Sequence, residues 1–362
     1  MATRYDIAVL PGDGIGIEVT EAALSLLEAL APRLGRQFVT TVHPAGAGLY
    51  RDHGVALPEA TLAACRRADA ILFGAMGLPD VRAADGTEII PQLDLRLALD
   101  LYAGVRPIRT WPGLPVPLAS PQAAQIDLVL VRESTEGLFY ARGRGRIEGV
   151  GAAAAAYDTM KITYAGTARV CDFAFKLATQ RQAQGKPGHV TNVDKANVFI
   201  SMAFWRQVFE ERARAFPEIT HDHSYVDAMA LNLVMKPWQY DVLVTENMFG
   251  DILSDLIAAL VGGMGMAPSA DIGDAHALFQ PAHGTAPDIA GHGIANPSAM
   301  LLSLAMMLDW LAARDGDAAL ADGARAIERA LHAAFATRQV LPFDFGGRSD
   351  TADILAAVKA GL

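Results

Sequence analysis

The chain has 362 residues, which at roughly 150 residues per domain points to two domains. Forty acidic against thirty basic residues give a formal charge of −10, and no segment gathers Lys and Arg densely enough to follow a phosphate backbone, which excludes nucleic acid as the main partner. The same balance makes the chain an awkward host for an acidic metabolite unless local arginines or a bound cation reverse the field at one place.

Two cysteines, Cys65 and Cys171, are too few for a disulfide framework, match no metal-ligand spacing, and read as small buried apolar residues. The apolar run at residues 7–10 is shorter than the hydrophobic region of a signal peptide. The stretch 299–313 is broken by Ser303 and Asp309, short of the ~20 residues a membrane span needs. The expected location is the cytoplasm, with no membrane partner.

In chain order, a strand at residues 7–10 leads through Pro11-Gly12-Asp13-Gly14-Ile15-Gly16 into a helix-period segment at 18–30. The glycines fall at 12, 14 and 16 and position 17 is Ile, so the spacing of a dinucleotide fingerprint is not met. A tight strand-to-helix connection lining a cleft is the expectation. A second strand, 70–73, precedes the helical pattern Gln92-Leu93-Asp94-Leu95-Arg96. Residues 107–121 carry five prolines and read as a crossing between domains rather than a helix or central strand. The strand 126–131 ends at Arg132. The Gly- and Arg-rich segment 141–156 reads as a flexible loop or as an arm that pairs with another subunit. A helix pattern at 163–177, a strand at 242–244 and an Ala- and Leu-rich helical region at 296–336 complete an α/β alternation with a largely parallel sheet.

Several groups along this order carry chemistry. Arg96, Arg106 and Arg132 are either separate surface charges or a convergent site for a di- or tricarboxylate, because the guanidinium fork matches a carboxylate bidentately. Asp251 and Asp255 stand four apart, so on a helix both carboxylates project from one face and repel. A hard cation, Mg²⁺ or Mn²⁺, between them would turn that cost into a gain; helix capping or a solvated face is the alternative. Lys195, between two apolar segments, either reaches out to solvent or, if desolvated, relays protons near neutral pH. The loop from Gln280 through His283-Gly284-Thr285-Ala286-Pro287-Asp288-Ile289 to Asn296-Pro297 is rigid and shaped for binding.

In this order and spacing the motifs resemble the isocitrate and isopropylmalate dehydrogenase family, the β-decarboxylating dehydrogenases of (R)-2-hydroxy acids, over essentially the whole chain. The run Thr245-Glu246-Asn247-Met248-Phe249-Gly250-Asp251-Ile252-Leu253-Ser254-Asp255 is the most specific part. The resemblance implies an α/β fold with a large mixed sheet flanked by helices, two domains and a clasp arm, not a Rossmann fold. It places residues 1–106 and 265–362 in a larger domain carrying the NAD loop, and 107–264 in a smaller domain with the dimer interface, the arm at about 141–160 and the catalytic and metal residues. It implies a homodimer that shares its active sites.

Residue by residue, the resemblance implies that Arg96, Arg106 and Arg132 hold the substrate carboxylates. Asp227, Asp251 and Asp255 bind Mg²⁺ or Mn²⁺, one of them across the dimer interface. Lys195, lent by the partner subunit and paired with Asp227, assists deprotonation of the substrate hydroxyl, and Tyr140 protonates the carbon that loses CO₂. His283, Gly284, Thr285, Ala286, Asp288, Ile289 and Asn296 form the cofactor loop. Asp288-Ile289 stands where members using NADP carry Lys-Tyr, so a carboxylate faces the ribose and NAD is expected.

The substrate's variable group is expected to meet Gln92 and Leu93, with Val198 from the second subunit. Isopropylmalate enzymes place two leucines at the first pair, and isocitrate enzymes place Ser and Asn. Ser134-Thr135-Glu136-Gly137 resembles the isocitrate and D-malate branches, while Ala156-Tyr157-Asp158-Thr159 and Val226-Asp227-Ala228-Met229 resemble the isopropylmalate branch. The resulting order is 3-isopropylmalate or a close 3-substituted malate, then D-malate or tartrate, then isocitrate or homoisocitrate. A non-catalytic relative would have shed the chemical residues, and a metal-dependent hydrolase would need no NAD loop. Thermal protection by NAD separates that last reading.

Overall fold

The computed structural model describes residues 3–362. In chain order its strands are β1 (Arg4–Gly12), β2 (Gln37–Val42), β3 (Ala70–Ala75), β4 (Ala103–Arg109), β5 (Asp127–Glu133) and β6 (Arg146–Glu148). They continue with β7 (Ala155–Tyr157), β8 (His189–Asp194), β9 (Thr220–Tyr225), β10 (Val242–Thr245), β11 (Pro268–Ile272) and β12 (Ala277–Pro281). The helices are α1 (Ile15–Leu34), α2 (Ala47–His53), α3 (Glu59–Arg67), α4 (Pro91–Ala98), α5 (Tyr164–Ala183) and α6 (Ile200–Ala213). After these come α7 (Val226–Met235), α8 (Asn247–Leu260), α9 (Ser298–Asp315), α10 (Ala318–Ala336) and α11 (Thr351–Gly361). All strands except β6 and β7 belong to one large mixed sheet.

The chain divides into two compact units. Unit 1 is Met1–Leu101, Thr110–Ala119 and Ala258–Leu362; unit 2 is Tyr102–Arg109 and Ser120–Ile257. The crossings therefore fall near residues 101 and 258, and the proline-rich residues 110–119 return to unit 1. Pro107 itself lies inside β4, opposite Val129 of β5. A proline two residues from a strand's end gives up one N–H and leaves the rest of the ladder intact.

In unit 1 the strand order is β2-β1-β3-β12-β11, parallel except for β11 against β12. Every residue of β3 is buried, as expected of a parallel strand covered on both faces. Val19, Ala22, Ala23, Leu26, Leu27 and Leu30 line the buried face of α1, at the spacing of a helix laid on a sheet. Gly35, with φ 60°, stops α1. The greasy stretch 299–313 is the buried helix α9, and among the described residues no helix is long and apolar enough to cross a membrane.

The first glycine turn has a structural explanation. Gly12 (φ 76°) and Gly14 (φ 57°) are in the left-handed region, and a Cβ on Gly14 would lie 2.1 Å from the Thr285 carbonyl oxygen. Ile15 N donates to that oxygen at 2.8 Å. The Asp13 carboxylate accepts from the amides of Ala47 (2.7 Å), Gly48 (2.9 Å) and Gly77 (3.0 Å). The turn is thus a tight strand-to-helix connection held by its own neighbours.

In unit 2 the order is β4-β5-β10-β8-β9, with β4 antiparallel to β5 and the others parallel. Helices α5 and α6 pack through Phe175, whose ring stacks on Phe209 and Phe216, each with centroids 5.2 Å apart. Trp205 Nε1 donates to Asn192 Oδ1 at 2.6 Å. Cys65 and Cys171 are free and buried, and burial pushes the Cys65 thiol up to about 11.

Residues 137–161 project as an arm. Its root is closed by Gly137 and Lys161, which exchange N–H···O bonds of 2.9 and 3.1 Å. Further out, β6 and β7 form a two-stranded antiparallel sheet exposed along its length. Ile147 and Val150 there are 77% and 85% exposed.

Candidate active site

The carboxyl ends of parallel strands are where open α/β sheets bind ligands, and most of the expected residues of unit 2 stand there. Thr245, the last residue of β10, is opposite Arg132 of β5, so the arginine meets the start of α8. Arg132 is buried; its Nε donates to Asn247 Oδ1 at 2.9 Å and its Nη1 to Asp251 Oδ1. Gly250 makes this approach possible, since a Cβ there would lie 2.7 Å from the Arg132 Cγ. Arg106 is buried as well. In the β4–β5 register Gly104 faces Arg132 and Arg106 faces Leu130, so the two arginines are diagonal neighbours on one face of the sheet.

Asp251 and Asp255 follow one turn apart on α8. Desolvation and the neighbouring Asp251 push the Asp255 carboxyl up, while Arg106 and Arg132 pull it down. This is an electrostatic conflict that an added cation relieves, and the all-oxygen donor set fits Mg²⁺ or Mn²⁺. Among the described residues no group of three or more His, Cys, Asp or Glu side chains gathers at a metal-binding distance. Asp227 is instead paired with Lys195 in the same chain.

That pair has its own local logic. β8 and β9 end side by side, Asp194 opposite Tyr225, so the residues just beyond them, Lys195 and Asp227, come together. Buried Asp194 pins the Lys195 turn by accepting from Ala196 N at 2.9 Å and from Arg206 Nε at 2.8 Å and Nη2 at 2.7 Å. The Lys195 ammonium group holds the Asp227 carboxyl below the usual carboxylate range. Val198, Phe199 and Ile200 form an exposed apolar run beside it.

Tyr140 is not placed as expected. The ring over the Arg132 guanidinium is that of Phe139, 4.9 Å from Cζ to centroid. Tyr140 lies against Arg144, 4.3 Å from its Cζ, and Lys161, 4.8 Å from its Nζ.

In unit 1, Arg96 on α4 is buried and donates from Nε to buried Asp271 Oδ2 at 3.0 Å; the same oxygen accepts from Gln280 Nε2 at 3.0 Å. Gln92 and Leu93 are half-buried, and Gln92 Oε1 is enclosed without a hydrogen-bond partner. The loop at residues 282–297 is fixed from several sides. Thr285 Oγ1 donates to Gly77 O at 2.7 Å, and the Glu18 carboxylate accepts from Gly293 N at 3.3 Å and Ala295 N at 3.2 Å. Ala286 has φ 36°, an uncommon state for a residue with a side chain. Gly284 and Asp288 are exposed and Ile289 half-buried. His283 Nδ1 meets Gly284 O at 2.8 Å, and its Nε2 is enclosed with no partner. That orphan polar atom and the exposed Asp288 carboxylate suit a polar, ribose-bearing ligand. Asn296 is spent on structure: Oδ1 accepts from Ser298 N at 3.0 Å, and Nδ2 donates to the Asp344 carboxylate at 3.2 Å.

Sequence reasoning missed the buried carboxylates that hold this frame. Glu246 accepts from Met248 N (3.1 Å) and Phe249 N (2.7 Å) at the start of α8; an acid just before a helix was the available signal. Glu133 accepts from Thr135 N (2.9 Å), Thr135 Oγ1 (2.5 Å) and Glu136 N (2.6 Å). Even so, burial pushes its carboxyl from 4.5 up to about 7. A raised acid contributes stability below its unfolded value and loses it as pH rises through the folded one. The unfolding free energy of the wild type relative to Glu133→Gln is therefore expected to fall by roughly 3 kcal/mol between about pH 4 and about pH 8. Urea titrations of both proteins across that range check it.

In unit 2, then, two buried arginines, Arg106 and Arg132, act on the carboxylate pair of α8. A profile of the isocitrate/isopropylmalate dehydrogenase family matches residues 6–358. The 3-isopropylmalate dehydrogenase of Moorella thermoacetica is 45% identical over 325 residues, covering 88% of this chain and 89% of that protein. That of Pseudoalteromonas translucida is 40% identical over 373 residues, covering 99% of each. The crystal structure of isocitrate dehydrogenase from Methylococcus capsulatus superposes with a TM-score of 0.86 at 35% identity, covering 99% of each chain. The chain belongs to the isocitrate/isopropylmalate dehydrogenase family and is an oxidoreductase acting on a CH–OH group.

Proposed function

We propose that the chain catalyses NAD- and divalent-metal-dependent oxidative decarboxylation of an (R)-2-hydroxy acid of the 3-substituted malate type, with 3-isopropylmalate the first candidate, as a cytoplasmic homodimer with shared sites. The observation that carries this reading is the joint built by Arg132, Asn247 and Asp251, which sets an anion-binding guanidinium and a cation-binding carboxylate pair in one rigid piece. The names of relatives 40–45% identical support the choice of acid.

When bound, Mg²⁺ or Mn²⁺ supplies Lewis acidity and NAD accepts hydride. The chain's own residues do the rest. Arg106 and Arg132, with Arg96, neutralise and orient the substrate carboxylates. Asp251 and Asp255 hold the cation together with Asp227 of a second copy of the chain. Lys195 of that copy, as the neutral amine, takes the hydroxyl proton, and Asp227 orients it and stabilises the ammonium group so formed. His283, Gly284, Thr285, Ala286, Asp288 and Ile289 line the cofactor's place, and the exposed carboxylate of Asp288 favours free ribose hydroxyls over a phosphate. Leu93 and, from the second copy, Val198 offer an apolar wall to the substituent.

Gln92 favours a second reading. Its enclosed, unpartnered Oε1 is an acceptor that a hydroxyl at the substrate's variable carbon would satisfy and an isopropyl group would not; of the runner-up pair, D-malate and tartrate, this supports tartrate, which carries that hydroxyl. Following NADH formation with 3-isopropylmalate, D-malate, tartrate and isocitrate in Mn²⁺ decides the order. Turnover of isopropylmalate at least tenfold above the others is expected; fast D-malate turnover without isopropylmalate turnover overturns it.

A further inference from the structure

After CO₂ leaves a β-keto acid, the electron pair of the broken C–C bond remains as an enolate whose carbon must take a proton. The resemblance gives that proton to Tyr140. We infer that Phe139, not Tyr140, is the ring facing the substrate's side of Arg132, that Tyr140 is a positioning residue fastening the arm, and that the carbon takes its proton from water, leaving hydroxide. The inference rests on the proposed oxidative decarboxylation.

Three observations carry it. The Phe139 ring covers the guanidinium that donates to Asn247 and Asp251, and a phenylalanine ring brings no hydroxyl to this arginine. The Tyr140 ring instead lies against two cations of the arm, Arg144 and Lys161, an arrangement that holds a ring by its π-face. Both cations are themselves tied to the arm's root. Arg144 Nη1 donates to Tyr140 O at 2.6 Å, and Lys161 exchanges backbone bonds with Gly137 and pairs with Glu136 at 3.9 Å. The neighbouring hydroxyls are directed elsewhere: Thr135 Oγ1 donates to Glu133, and Ser134 Oγ to Arg132 O.

The test compares wild type, Tyr140→Phe and Phe139→Tyr with the acid that the wild type oxidises. Tyr140→Phe is expected to keep kcat and KM within about twofold, because the ring and its cation contacts remain. Phe139→Tyr is expected to raise kcat and to add an alkaline limb to its pH profile, since a phenol donates only while protonated. A larger kcat loss in Tyr140→Phe at unchanged KM overturns the inference, as does a Phe139→Tyr profile identical to wild type. A wild type that oxidises none of the acids refutes the functional reading instead. The arm role is then read without turnover: Tyr140→Leu is expected to speed tryptic cleavage at Arg142, Arg144 and Arg146 about tenfold and Phe139→Leu is not, and equal rates overturn it.

Discussion

Asp255→Asn is expected to lower kcat/KM by roughly 10³, about 4 kcal/mol of transition-state stabilisation, and to raise the Mn²⁺ concentration needed for half-maximal activity. The same substitution is expected to make the metal-free protein more stable at neutral pH. Desolvation and Asp251 push the Asp255 carboxyl up, so folding disfavours its charged form, and the resulting destabilisation appears as pH rises past the unfolded value. Asparagine removes that charge while keeping the shape. Thermal melts with and without Mn²⁺ check the pairing of effects: the wild type gains stability from the ion, and the variant starts higher and gains less. A variant that melts lower than wild type without metal and responds equally to Mn²⁺ would show that the carboxylate pair is not the ion's site.

Lys195→Met carries the second large effect. A positioned proton acceptor contributes about 10² to 10⁴ in rate, so kcat is expected to fall by roughly 10³ while KM changes less than about threefold. Methionine keeps the length of the stem and removes the ammonium group that Asp227 holds. The loss should be partly reversed by small primary amines added to the assay, which restore a base without restoring the side chain. A kcat that stays within twofold of wild type removes Lys195 from the proton path.

Much of the fold was legible because its signals are local. The apolar runs of β1, β3, β5 and β10 and the helical periods of α1 and α5 are written in consecutive residues, and each forms where expected. β9 was not legible: its Thr-His-Asp-His-Ser-Tyr has no apolar run and is mostly exposed. It is a strand because it completes the hydrogen bonds of β8 at the sheet's edge. The antiparallel pairing of β4 with β5 likewise depends on a partner beyond a long proline-rich connection, and that of β11 with its neighbour β12 on a short turn the sequence reading did not single out.

The sequence by itself determined which residue types are available for chemistry: a carboxylate pair one helical turn apart, a lysine at a strand end, and arginines able to offset a charge of −10 locally. It also favoured a tight connection over a dinucleotide fingerprint at the first turn, since glycine spacing is a property of consecutive residues. Only the tertiary structure decided which side chains meet. It joined Arg132 to Asp251 and Lys195 to Asp227, committed Asn296 to Asp344, and turned Phe139 rather than Tyr140 toward Arg132. Adjacent residues in a short turn point in different directions, and which one faces a site is set by the groups packed around it, here the two cations that hold the Tyr140 ring.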